Sequence, residues 1–250
     1  DAPRPPPGRV EADAGLDVGE TASATVLGPN RCALLLADGA TVEVDPRKLS
    51  QTNDESAWLA CRAALDLTAS EFDAARDRGR FASRDDVLAW RAGVAPRPVV
   101  GGEPVEFGRK NEPRAVAEYA RRTGATVTPT GLWTDGRYGA SPDGLVTDID
   151  GEQGLLEVKC SFARRRKAAL GPLTKCPNRY FHQIQGQLEL CNREFCDLVI
   201  WIPSDAAILR VTRDRAFFED EMRPALDAFS RDLDALMGRT VLAGPAAGHG

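Results

Sequence analysis

The sequence predicts an α/β fold: a mixed central β-sheet flanked by helices, preceded by a small N-terminal β-meander. Three observations lead there. Of the 250 residues 42% are hydrophobic and 28% charged, a balance that supports a packed core. Short β-prone runs cluster at 22–45 between turn dipeptides. From residue 54 onward, helical periodicity and apolar strand runs follow in the order helix, three strands, helix, two strands, helix, which packs helices against a sheet.

Residues 1–20 are rich in Pro, Gly and acids and read as a flexible leader. Residues 21–50 hold the runs ASATVLG, CALLLADG and ATVEVDP, separated by Pro29-Asn30 and Asp38-Gly39, both turn formers. They predict the meander, whose plainest role is a packing appendage. Residues 51–238 form the main domain, and 239–250 a flexible tail.

Within the main domain, Asn53 or Asp54 caps a helix through Trp58, Cys61 and Leu65. Thr68 with Glu71 makes a capping box for a second, short helix, and Ser83 with Asp86 offers another start. APRPVVGGEP is a loop. A longer helix spans roughly Val105 to Arg122 and stops at Thr123-Gly124. Strands are expected at 132–134, 144–147 and 155–160, with reversals at Asp135-Gly136 and Asp150-Gly151. Asn178 to Cys191 is helical, 197–202 and 206–211 are strands, and Asp214 to Met237 closes as an amphipathic helix.

Several function classes are excluded early. No apolar run approaches the roughly 18 residues of a membrane span. A net charge of −5 argues against coating nucleic acid by charge alone, although residues 101–180 carry 13 Lys/Arg against 10 Asp/Glu. Six cysteines without a CxxC pair, and only two histidines, leave no ordinary zinc spacing and no dense disulfide scaffold. Reduced thiols in an intracellular protein are expected. The chain starts at Asp1 rather than Met, which is compatible with a removed targeting segment.

Three residues carry the chemistry. Asp143 lies in Ser141-Pro142-Asp143-Gly144 at a strand start, while Glu157 and Lys159 lie two apart in Leu-Leu-Glu-Val-Lys, on one face of a strand. The hairpin between them can set Asp143 beside Glu157. Two carboxylates that close repel unless a cation lies between them, and Mg²⁺ suits hard oxygen ligands, with Mn²⁺ as the other candidate. The Val158 carbonyl can add an oxygen. Lys159 would then place water and stabilise charge on a phosphate. The competing reading is an exposed ion pair on an edge strand. Against it, Leu155, Leu156 and Val158 make this an apolar strand. The run Arg164, Arg165, Arg166 and Lys167 can contact DNA-backbone phosphates or simply solvate a surface. His182 reads as structural, and Trp58, Trp90, Trp133 and Trp201 as core.

The order Gly-x(3)-Glu (Gly108 to Glu112), Ser-Pro-Asp-Gly (Ser141 to Gly144), Glu-Val-Lys-Cys (Glu157 to Cys160) and Tyr-x(2)-Gln-Ile-Gln (Tyr180 to Gln185) resembles the lambda-type exonucleases. These are also called YqaJ-like viral recombinases, a branch of the PD-(D/E)xK nucleases. Upstream, Trp58-x(3)-Arg62 and Thr68-Ala69-Ser70 resemble further family motifs. The resemblance covers about 54–235.

It implies a restriction-endonuclease-like sheet and a Mg²⁺-dependent exonuclease acting on double-stranded DNA ends, 5′→3′, in recombination or end processing. It implies metal binding by Asp143, Glu157, Val158 and, directly or through water, Glu112. Lys159 and Gln183 would complete the catalytic set, and Arg62, Ser70 and Ser141 would hold a terminal 5′-phosphate. It further implies a homotrimer threaded by DNA and a single-strand annealing protein as partner. Taken singly, Glu112 also reads as a surface helix glutamate, Gln183 as a polar helix residue and Arg62 as a solvated one. A restriction- or repair-type endonuclease and a non-catalytic DNA-binding module are the alternatives.

Overall fold

Two left-handed turn residues set the N-terminal meander. Asn30 (φ 52°) and Gly39 (φ 88°) close the reversals between β2 (Thr21–Gly28), β3 (Arg31–Leu36) and β4 (Thr41–Val44), where positive φ suits Asn and Gly. The computed structural model describes residues 8–11, 15–79, 81–99 and 101–239. Within the stretch expected as a leader, β1 (Arg9–Val10) pairs with a strand of the main sheet, while 1–7 and 12–14 lie outside the described residues. Of the expected tail, only Arg239 is described.

The remaining elements follow in chain order. Helix α1 (Glu55–Ala63) leads to β5 (Leu67–Thr68), the short α2 (Phe72–Ala75), α3 (Arg84–Arg91) and the long α4 (Glu103–Thr123). Strands β6 (Thr126–Thr128), β7 (Trp133–Thr134), β8 (Tyr138–Ala140), β9 (Gly144–Thr147) and β10 (Gln153–Cys160) precede α5 (Asn178–Leu190). Strands β11 (Phe195–Ile202) and β12 (Asp205–Thr212) follow. The closing helix runs as α6 (Arg215–Phe217), a π-helical turn (Phe218–Met222) and α7 (Arg223–Leu236).

The central sheet has the order β1-β6-β9-β10-β11-β12 and is mixed: β1/β6 and β10/β11 are parallel, the other pairs antiparallel. Alternation along β10 divides its side chains between two cores. Leu156 and Val158 pack with Ala115, Val116 and Tyr119 of α4, while Leu155 joins Ile184 and Leu188 of α5 and Phe229 of α7. A third cluster seats the meander on α1 through Cys32, Leu34, Cys61 and Leu65.

Three sequence expectations change. The segment 132–134 is not in the central sheet; β7 pairs with β8, and β8 with β5, in a separate three-stranded sheet. Leu65 lies beyond the end of α1, and β5 follows where no strand was expected. Strand β6 was also unexpected: Thr126-Val127-Thr128 is too short for a period of two to stand out. The capping box at Thr68/Glu71 forms as anticipated. Helix α4 runs through Pro113, starts at Glu103 and ends on Gly124 in the left-handed region. No helix among the described residues is long and apolar enough to cross a membrane.

Candidate active site

Strand β9 stays paired with β10 only as far as Gly144 opposite Leu156. Just before that point Asp143 sits at the sheet rim. Its backbone N–H donates to the Leu156 carbonyl at 3.0 Å, and its Oδ2 accepts the Val158 N–H at 2.6 Å. The parting of two strands therefore leaves a backbone donor that the Asp143 carboxylate takes up. Glu157 and Lys159 project together toward α5, as the two-residue spacing requires.

Helix α5 completes the grip on Glu157, which is 1% exposed. Gln183 Nε2 donates to its Oε1 and Gln187 Nε2 to its Oε2, each at 2.7 Å, and Lys159 Nζ pairs with Oε1. Gln183 and Gln187 are one helical turn apart and so share a face. Gly186, between them in sequence, packs α5 against α2: a Cβ there would lie 2.5 Å from the Phe72 ring. Gln183 thus orients the carboxylate of Glu157, a partner the sequence did not assign to it.

The electrostatics are those of crowded acids. Burial first, then the charges of Glu157 and Glu112, push the Asp143 carboxyl well above its usual range. Burial and Glu157 likewise raise Glu112. Burial opposes a charged Lys159, yet Glu157 and Asp143 outweigh it and hold the ammonium above its ordinary value. Asp197, another buried acid of the sheet, belongs to a separate network: Tyr119 donates to it at 2.7 Å and Arg210 pairs with it at 3.0 Å.

Asp143, Glu157, Lys159, Gln183 and Gln187 line one cavity of about 150 Å³ together with Trp58, Arg62, Ser70 and Ser141. Arg62 lies over the Trp58 ring at 4.5 Å and donates to Ser141 Oγ at 3.2 Å and Thr68 Oγ1 at 3.4 Å. Thr68 Oγ1 is in turn 3.2 Å from Ser70 Oγ. Burial pulls the Arg62 guanidinium down to about 10, against the attraction of Glu71. A guanidinium and two hydroxyls in a half-buried position form a group that suits a phosphate monoester.

Glu112 stands on the other side of Asp143. Both line an adjoining cavity of about 290 Å³, which Glu157 does not line. Among the described residues no three His, Cys, Asp or Glu side chains form a ready-made metal cluster. The donor set nonetheless fits a hard divalent cation: carboxylates crowded into adjoining cavities repel one another and gain from a positive charge among them, and Asp143 lines a cavity with each of the other acids. The donors do not choose between Mg²⁺ and Mn²⁺.

The basic run divides. Arg164 lines a cavity of about 610 Å³ shared with Lys159, Arg179 and Tyr180. Arg165 folds back, its guanidinium 3.5 Å over the Phe162 ring and donating to the Phe162 carbonyl. Arg166 and Lys167 are exposed. His182 meets Arg76 at 3.0 Å and the Asn178 carbonyl, apart from the acids, as a structural histidine would.

Sequence reasoning missed a supporting tier. Glu71, with a side chain 8% exposed, accepts from Thr68 N–H and Oγ1 and pairs with Arg91 and Arg97. Arg91 also donates to the carbonyls of Arg62 and Leu65. The capping box signalled Glu71; nothing in the pattern signalled Arg91.

Residues 57–194, over half the chain, match the model of the YqaJ-like viral recombinase domain. The fold is similar to that of the alkaline exonuclease LHK-Exo from Laribacter hongkongensis, with 28% identity over 73% of this chain and 94% of that one, at a TM-score of 0.59. Its complex with dAMP gives a TM-score of 0.60 over the same shares and identity. A phage-related exonuclease from Haemophilus somnus 129PT shares the fold at 13% identity over 70% of this chain and 96% of that one, at a TM-score of 0.52. No curated protein is significantly similar in sequence.

Proposed function

The chain belongs to the YqaJ-like viral recombinase domain family, and from that premise we propose that it is a divalent-metal-dependent exonuclease that hydrolyses double-stranded DNA from 5′ ends. The observation that carries this reading is a juxtaposition. Arg62, Ser70 and Ser141 share one small cavity with Asp143, Glu157 and Lys159, so a terminal phosphate and a hydrolytic site lie side by side.

Asp143 and Glu157 would hold the cation, with the Val158 carbonyl as a further oxygen and Glu112 joining directly or through water. A bound Mg²⁺ or Mn²⁺ would polarise the phosphodiester and lower the pKa of its water. Gln183 and Gln187 keep the Glu157 carboxylate turned into the cavity. Lys159, protonated in this acidic setting, stabilises the negative charge that grows on the phosphate oxygens. Arg62 with the two serine hydroxyls binds the end and fixes which bond is presented. Arg164 and Arg179 guide the backbone toward Lys159, and Arg165, Arg166 and Lys167 add long-range attraction. On the same reading, which here rests on family membership alone, three copies ring the duplex and the product strand passes to a single-strand annealing protein.

The test is degradation of end-labelled linear duplex across a series of divalent metals. A 5′-phosphorylated end should be consumed faster than a 5′-hydroxyl end, and closed circles should survive. Cutting of closed circles would make the protein an endonuclease. Binding of DNA with no metal-dependent loss, unchanged by Asp143→Ala, would make it a binding module.

A further inference from the structure

Asp143 lines two cavities, and one other residue lines both: Gln51. It precedes α1 and lies outside residues 57–194, which match the family model. The turn that carries it is closely held. Ser50 N–H donates to Asp54 Oδ2 at 2.8 Å, and the N–H groups of Thr52 and Asn53 donate to Ser50 Oγ at 3.1 and 3.0 Å. Upstream, the N–H groups of Gly131 and Leu132 donate to the carbonyls of Arg47 and Pro46. Gln51 is half-buried, yet among the described residues its side-chain amide makes no hydrogen bond. A polar side chain set by a fixed turn at the seam of two cavities, with no internal partner, is available to a ligand.

The chemistry of the seam names that ligand. On the Glu157 side, Lys159 and Arg62 offer cations to phosphate oxygens. On the Glu112 side, the charged groups among the described residues are the acids Glu11, Glu112 and Asp143, and no Lys or Arg lines that cavity. A phosphate oxygen turned that way needs a donor without negative charge, which a carboxamide N–H supplies and a carboxylate does not. We infer that Gln51 Nε2 donates to a nonbridging oxygen of the phosphodiester hydrolysed beside Asp143, a substrate contact supplied by the N-terminal segment. The inference rests on the nuclease reading made above and adds to it the contact on the Glu112 side.

The experiment compares the full chain with its Gln51→Ala and Gln51→Glu variants. The readouts are melting temperature, calorimetric Mn²⁺ affinity without DNA, and kcat/KM on linear duplex in Mg²⁺. Gln51→Ala should leave the melting temperature and Mn²⁺ affinity unchanged and lower kcat/KM on the order of 10-fold, the size of one hydrogen bond to a charged acceptor. Gln51→Glu should lower kcat/KM further, although Mn²⁺ binds it at least as well, because its carboxylate repels the phosphate. A kcat/KM of Gln51→Ala within about 2-fold of the natural chain overturns the inference. So does a loss of rate that comes with a lower melting temperature, which would make the residue a part of the turn alone. Full activity of Gln51→Glu also overturns it, since the group would then serve the cation rather than the phosphate. Duplex affinity, measured by fluorescence anisotropy in a Glu157→Gln background so that hydrolysis does not intrude, separates the two claims. Gln51→Ala should lower that affinity on the order of 10-fold, and unchanged affinity overturns the contact. A natural chain with no metal-dependent hydrolysis removes the nuclease reading, while the anisotropy still judges Gln51.

Discussion

Gln187 Nε2 lies 2.7 Å from Glu157 Oε2, on the carboxylate oxygen that Lys159 and Gln183 do not use. The acid is therefore gripped on both oxygens from one helix, while Gln187 Oε1 is buried with no partner of its own. Glu157→Gln exploits this. The new amide nitrogen can face Gln187 once that side chain turns its unpartnered oxygen inward, so the melting temperature should move little. Hydrolysis of linear duplex should nonetheless fall by about 10³-fold or more, roughly 4 kcal/mol of transition-state stabilisation. A rate within about 10-fold of the natural chain at unchanged folding would remove Glu157 from the metal-binding role.

Arg62 donates at two points of its cavity, to Ser141 and to Thr68, and lies over the Trp58 ring. Lysine keeps the charge but loses the fork and the stacking face. Arg62→Lys should accordingly lower the preference for 5′-phosphorylated over 5′-hydroxyl ends by about 10-fold, and Arg62→Ala should erase it. The rate on the hydroxyl end should stay nearly the same. The check is the ratio of initial rates on two duplexes that differ only in the terminal phosphate.

How much of this was legible in the sequence follows from which interactions are local. Glu157 and Lys159 share a face because a strand has a period of two, and the Thr68/Glu71 box is a three-residue signal; both could be read from the chain. The β10 run announced itself because polar residues interrupt an apolar strand. Strands β5 and β6 are two or three residues long and are held by partners distant in sequence, so no local pattern marked them. Arg91 was invisible for the same reason: its value lies in reaching Arg62, Leu65 and Glu71, and at its own position it looks like a cation in the last turn of α3. Gln187 could be placed on the face of Gln183 but not on Glu157, because that contact joins residues 30 apart in sequence.

Asp54 ties the N-terminal segment to α1 and gives a pH prediction. It is 4% exposed and accepts the N–H groups of Ser50, Leu16 and Asp17 at 2.7–2.9 Å. Burial pushes its carboxyl up, but these donors outweigh burial and hold it below the ordinary value. A depressed folded value means stability that is present above the unfolded pKa near about 3.9 and is lost as pH falls through the folded one. Asp54→Ala should cost about 1–3 kcal/mol at pH 7 in urea titration. The gap to the natural chain should narrow below about pH 4. An unchanged gap at low pH would mean that the charge of Asp54 contributes nothing.

The Arg91–Glu71 pair joins the end of α3 to the Thr68–Glu71 turn, both side chains being 8% exposed. Because Arg91 also caps the carbonyls of Arg62 and Leu65, it fixes the helix end from which Arg62 reaches the cavity. Removing Arg91 leaves the buried Glu71 carboxylate with only the exposed Arg97 and Thr68 as partners, a loss below the roughly 3–5 kcal/mol of a fully broken buried pair. Arg91→Met should therefore lower the melting temperature and, below it, weaken the preference for 5′-phosphorylated ends. A purely structural pair would lower stability alone. The double variant Arg91→Met with Glu71→Gln removes both charges and should recover much of the lost stability. It should not recover the end preference, since the carbonyl caps that hold Arg62 in place are still missing. Recovery of both together would show that Arg91 stabilises the fold without positioning the phosphate pocket.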